Sequence, residues 1–132
     1  MTDLYLPPIE AVIDLHSEWI EAFGGASGTR DRGALESPLG RATRIHTYEP
    51  DSDVIAAAAA VCVSICRNHP FVDGNKRAAF GILGVILGMN GFYLDVSEGD
   101  ASTTILALAA GNMPEEKFRA WVRANTQTSE DC

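Results

Sequence analysis

Between Val54 and Leu94 the chain carries only four charged side chains, Arg67, Asp73, Lys76 and Arg77, and one imidazole, His69. All five fall in the eleven-residue window Arg67–Arg77 (RNHPFVDGNKR), with an uncharged apolar run on each side, Val54–Cys66 and Ala78–Met89. Neither run reaches the ~20 residues needed to cross a bilayer, so both must be buried against the protein itself. The first run is apolar on all sides, which predicts a helix covered on most of its circumference. The two runs therefore read as a buried helix hairpin with the polar window at its joint. Packing alone gives no reason to gather three cations, a carboxylate and a histidine there.

Helical spacing dominates the rest of the chain, and strand-like alternation is nearly absent. Pro7 and Pro8 open a first helix whose apolar positions are Ile9, Val12, Ile13, Leu15, Trp19, Ile20 and Phe23; Gly24-Gly25 ends it. A second stretch, from about Asp31 to Arg44 and short or broken at Pro38, turns Leu35, Leu39 and Ala42 inward and Arg41 and Arg44 outward. Asp51, Ser52 and Asp53 offer caps for the third helix, which Pro70 ends after about Asn68 by excluding His69 from the α region. Asn75 restarts a helix to about Asn90, with Gly91 as a left-handed cap, and Phe92–Val96 is a brief extended link. Ser97 caps a fifth helix through Ala110, and Pro114 begins a sixth with Phe118, Trp121 and Val122 as its apolar face. The tail Thr126–Cys132 is expected to fray. The expected fold is all-α, a single-domain bundle of about six helices over residues 1–132, self-sufficient at this length.

Charge and cysteine usage set the partners apart. Eighteen acidic against ten basic side chains, net −8, oppose a protein that grips nucleic acid by bulk charge. Of the three cysteines, Cys62 and Cys66 sit one turn apart in an apolar run as expected core residues, and Cys132 is terminal; this suits a reducing compartment. The opening MTDLYLPP shows no secretory pattern, so the expectation is a cytoplasmic protein with neither membrane nor direct nucleic-acid contact. His16 and His46 read as ordinary surface or boundary residues.

The joint has a coherent chemical reading. Gly74 can take φ > 0, so that the N–H groups of Gly74, Asn75 and Lys76 converge as an anion nest at a helix start, where the dipole adds positive potential. Lys76 and Arg77 lie in that first turn, which disfavours cations unless an anion sits between them. Asp73 can hold Mg²⁺ that bridges phosphate oxygens, Phe71 anchors the loop, and His69 is the proton acceptor. A base beside a phosphate cradle with a metal ligand describes transfer of a phosphorus centre onto a hydroxyl. Taken singly, each residue has a plainer reading as cap, turn or solvated surface; the combination points to function. No GxxxxGK[ST] segment exists, so a Walker-type loop is excluded.

His69-Pro70-Phe71-Val72-Asp73-Gly74-Asn75-Lys76-Arg77 resembles the signature of the Fic/Doc superfamily, HPFx[D/E]GN[G/K]R. The segments Ile13–His16, Phe23–Gly25 and Asp31–Arg41 are similar to the N-terminal pattern of its Doc (death-on-curing) branch, and the likeness extends over about residues 5 to 125. The resemblance implies the Fic/Doc fold, with the active-site loop on a central helix hairpin. It implies His69 as general base, Asp73 as Mg²⁺ ligand, Gly74 and Asn75 as anion hole, Arg77 on the nucleotide phosphates, Phe71 as structural anchor and Arg67 as an assisting cation. Position 76 is glycine in the adenylyltransferases and lysine in Doc. Lys76 thus implies that ATP binds in the reversed sense, with its γ-phosphorus toward the hydroxyl. By resemblance the chain is expected to be the toxin of a toxin–antitoxin module. It would phosphorylate a threonine of elongation factor Tu, block translation, and be neutralised by a Phd-type antitoxin that lays a helix beside the first helices. Two other readings stay open: AMP transfer to a protein hydroxyl, and a non-catalytic module that binds nucleotide or a partner. A ribonuclease ranks last because the net charge opposes RNA binding.

Overall fold

Helix α3, Val54–Asn68, is the axis on which the molecule is built. Asp53 starts it, its Oδ1 accepting from the Ala56 N–H at 2.9 Å. Every residue from Val54 to Cys66 except Ile55 is buried. The run Ala56–Ala60 keeps its sides thin enough for four other helices to pack against it at once. A computed structural model describes residues 3–49 and 53–129; Asp51, Ser52 and Cys132 lie outside the described residues. Around α3 stand α1 (Ile9–Phe23), α2 (Gly33–Tyr48), α4 (Asn75–Met89), α5 (Glu98–Ala109) and α6 (Glu115–Asn125). The fold is all-α as expected, and one contiguous apolar cluster joins these elements. From α4 it takes Ile82, Leu83, Ile86 and Leu87, all fully buried. Each such side chain contributes about 1.5–3 kcal/mol by leaving water.

Four expectations need correction. Helix α2 runs unbroken through Pro38. Proline denies a donor to the carbonyl four residues earlier, that of Ala34, and the Asn68 Nδ2 supplies one at 3.3 Å. Arg41 turns inward rather than to solvent, donating to Ser64 Oγ at 3.1 Å and to Glu115 Oε2 at 2.6 Å. The tail is not frayed at its start: β2, Thr126–Thr128, pairs antiparallel with β1, Phe92–Leu94, in the register Phe92 with Thr128 and Leu94 with Thr126. The extended link after α4 offered open backbone groups, and the tail satisfies them. Phe23, assigned to the apolar stripe of α1, is 66% exposed. Among the described residues no helix is long and apolar enough to cross a membrane.

Candidate active site

The joint between α3 and α4 has an irregular backbone. His69 adopts φ 49 and ψ 58, the one left-handed non-glycine residue among those described, where a residue before proline was expected to be extended. This conformation costs about 1–3 kcal/mol and persists only where neighbours hold it. Arg30 does so: its Nε and Nη2 donate to the His69 carbonyl at 2.9 and 2.6 Å, and Nη2 also reaches the Asn68 carbonyl at 3.1 Å. A cation there also suits the negative end of the α3 dipole. The backbone beside Arg30 grips the same loop. Arg30 and Asp31 donate their N–H groups to Pro70 at 2.7 and 3.0 Å, Val72 donates to Gly28 at 3.0 Å, and Thr29 bridges to Phe71. The segment after α1 is therefore the second wall of the loop.

That segment also fixes the carboxylate. Asp73 Oδ2 accepts from the Ala26 N–H at 3.1 Å and Oδ1 from the Gly74 N–H at 2.8 Å. These two backbone donors, with the charge of Arg77 behind them, hold the carboxyl below its ordinary range, so it is ionised at neutral pH. Residue 25 must be glycine for this contact, since a Cβ there would lie 2.8 Å from Asp73 Oδ2. Gly74 has φ 74, but its N–H, which the nest reading turned toward an anion, is taken by Asp73 Oδ1. Asn75 turns its side chain away from any ligand and closes the loop instead: Oδ1 accepts from the Phe71 N–H at 2.9 Å and Nδ2 donates to the Phe71 carbonyl at 3.0 Å. Its backbone N–H, in the first turn of α4, is the group that can meet an anion.

His16 corrects the sequence reading. Far from being a surface residue, it is 2% exposed, stacks on Phe71 with ring centroids 3.8 Å apart, and contacts the Asp73 carbonyl through Nε2 at 2.8 Å. His16, Arg30, Gly25 and Ala26 are the site residues that the sequence reading missed. A double glycine after a helix reads as a stop, and a histidine on an amphipathic helix carries no sign of a partner 57 residues away.

His69, Asp73, Gly74, Asn75, Lys76 and Arg77 line one cleft of about 520 Å³, closed by Gly24, Val72 and Ala109. Lys76 and Arg77 also border an apolar groove of about 300 Å³ between α4 and α5, which includes Phe80, Ile105 and Leu106. The Arg77 guanidinium lies 4.9 Å from the centre of the exposed Phe23 ring, a cation–π contact that props it at the cleft mouth. Arg67 is placed elsewhere: its Nη1 lies 3.7 Å from Glu115 Oε1, and it does not line the cleft. The donor set fits an ion brought in with a phosphate. No cluster of three or more metal-ligating side chains exists among the described residues, but Mg²⁺ commonly takes one or two carboxylates and completes its shell with phosphate oxygens and water. Asp73 is ionised and exposed, and each of its oxygens keeps acceptor capacity beyond its one N–H bond.

The Fic/DOC family profile matches residues 5–87, which take in α1 to α3, the whole joint and all but the last two residues of α4. The chain is also similar to Toxin Doc of Mycolicibacterium smegmatis, with 36% identity over 74 residues, 55% of this chain and 57% of that protein. It spans a little over half the length of this curated relative.

Proposed function

This chain belongs to the Fic/DOC family, and from that premise we propose that it is a Doc-type toxin that transfers the γ-phosphate of ATP to a threonine hydroxyl of elongation factor Tu. The observation that carries this reading is that His69, Asp73, Lys76 and Arg77 share one cleft at the start of α4. First-turn N–H groups of α4, which lack intrahelical acceptors, bind phosphate oxygens, and Arg77 adds a cation beside them. The Lys76 side chain takes up room on the phosphate side of the cleft that a glycine would leave to a bound tail of phosphates. This favours the orientation with the γ-phosphorus nearest His69. Asp73 would hold Mg²⁺, which when bound would supply charge neutralisation for the phosphates. His69 accepts the proton of the attacking hydroxyl as its oxygen bonds to the γ-phosphorus and the bond to ADP breaks. The partner in the module is a Phd-type antitoxin, whose helix would lie beside α1, where the exposed Phe23 offers it an apolar contact.

The test is to incubate the protein with elongation factor Tu and either γ-labelled or α-labelled ATP. Label on the factor from the γ position only is expected. Label from the α position only would make the protein an adenylyltransferase. No label from either, with His69→Ala and wild type equally harmless in cells, would make it a binding module.

A further inference from the structure

We propose that His16 is a positioning residue that sets which way the Asp73–Gly74 peptide faces. Its Nε2 lies 2.8 Å from the Asp73 carbonyl, and a carbonyl can only accept, so the proton is on Nε2. In a trans peptide the C=O and the following N–H point to opposite sides. Holding the carbonyl toward α1 therefore turns the Gly74 N–H away from α1, to the side where the Asp73 carboxylate now accepts it at 2.8 Å. Gly74 needs such a hold. A glycine occupies positive and negative φ about equally well, so this peptide is free to flip unless something pins it. A flipped peptide would turn a carbonyl oxygen toward the Asp73 carboxylate in place of the N–H donor that now holds it.

The geometry of His16 suits the task. The ring is buried and nearly parallel to Phe71, with 4° between the planes, and Phe71 is itself immobilised by both bonds from Asn75. The Nε2 atom would lie 3.6 Å from a Cβ at Gly74, so the ring also backs the glycine directly. The donor thus sits on a rigid platform that α1 delivers to the loop. The orientation of the peptide follows from this geometry alone; its consequence for nucleotide binding rests on the function proposed above.

Two substitutions separate the donor from the ring. His16→Phe keeps the stack and removes the donor, whereas His16→Gln removes the ring and can place an N–H₂ near the Nε2 position. In ¹H–¹⁵N spectra of His16→Phe the Gly74 and Asn75 amide signals are expected to move or double, and Mg·ATP affinity to fall about tenfold, the effect of one misdirected hydrogen bond. His16→Gln is expected to restore both. A Gly74 signal in His16→Phe that superimposes on wild type, or equal damage in both variants, would overturn the proposal. If wild type binds no ATP, the functional reading fails, while the Gly74 signals still decide the role of His16. If His16→Phe does not fold, the imidazole ¹⁵N spectrum of the unaltered protein decides: a proton on Nε2 supports the proposal and one on Nδ1 alone refutes it.

Discussion

The protein uses its cations in two opposite ways. On the flank where α2, α3 and α6 meet, Arg41, Arg67 and Arg119 converge on Glu115 at 2.6, 3.7 and 2.7 Å, and Arg119 reaches Glu49 at 3.5 Å. In the cleft, Lys76 and Arg77 have no carboxylate within ion-pair distance among the described residues; the ion pairs of those residues lie outside the cleft and involve Arg32, Arg41, Arg67, Arg119 and Arg123. The backbone follows the same division. The flank is regular helix, whereas the joint holds His69 and Gly74 in left-handed conformations. Paired charge on the flank serves the fold, and the unpaired charge in the first turn of α4, just after the constrained loop, is open to a ligand. Arg67, which the family resemblance would put on phosphate, sits on the structural side of this boundary.

The difference can be tested by damaging each region in turn. His69→Ala should have the largest effect, lowering the proposed transfer rate by about 10²–10⁴ and abolishing growth arrest, because it removes the proposed proton acceptor while leaving the loop's backbone bonds in place. Arg30→Ala should lower the rate by about tenfold or more with ATP affinity little changed, since it releases the clamp on His69 without touching the phosphate side. An unaltered rate would show that the left-handed turn holds without Arg30. On the flank, Glu115→Gln should leave transfer intact and cost about 1–2 kcal/mol in urea unfolding, from weakened charge-assisted bonds to Arg41 and Arg119.

The smallest effect concerns acid. Burial raises the Glu115 carboxyl, but the Arg41 hydrogen bond and the charges of Arg41 and Arg119 outweigh it and hold the group below its usual range. Asp53 is held low by its bond to Arg123 and by its cap on α3. A carboxyl depressed in the folded state contributes stability above its unfolded pKa and loses it as pH falls through the folded one. Unfolding free energy should therefore decline from about pH 4 downward, and less steeply in Glu115→Gln and Asp53→Asn than in wild type.

The hairpin was legible because its signals are local. An apolar run, the Asp53 cap, Pro70 and Gly74 bound α3 and α4 nearly to the residue. The misses share one cause, a partner remote in sequence. Pro38 is tolerated because Asn68 serves the Ala34 carbonyl, Arg41 turns inward because Glu115 awaits it, and the tail orders because β1 lies open. The cleft divides in the same manner. Its charged half could be read from the window Arg67–Arg77, whereas the wall formed by Gly25, Ala26 and Arg30 works mainly through backbone groups that leave no trace in composition.

The most direct measurement is a titration of the ¹⁵N-labelled protein with Mg·ATP, following every assigned amide. Changes concentrated at residues 69–77 and 24–26, with the signals of Arg41, Glu115 and Arg119 unmoved, are the predicted result. Changes centred on Arg41, Arg44 and Arg119, with Gly74, Asn75 and Lys76 undisturbed, would contradict the assignment of the nucleotide to the joint of α3 and α4.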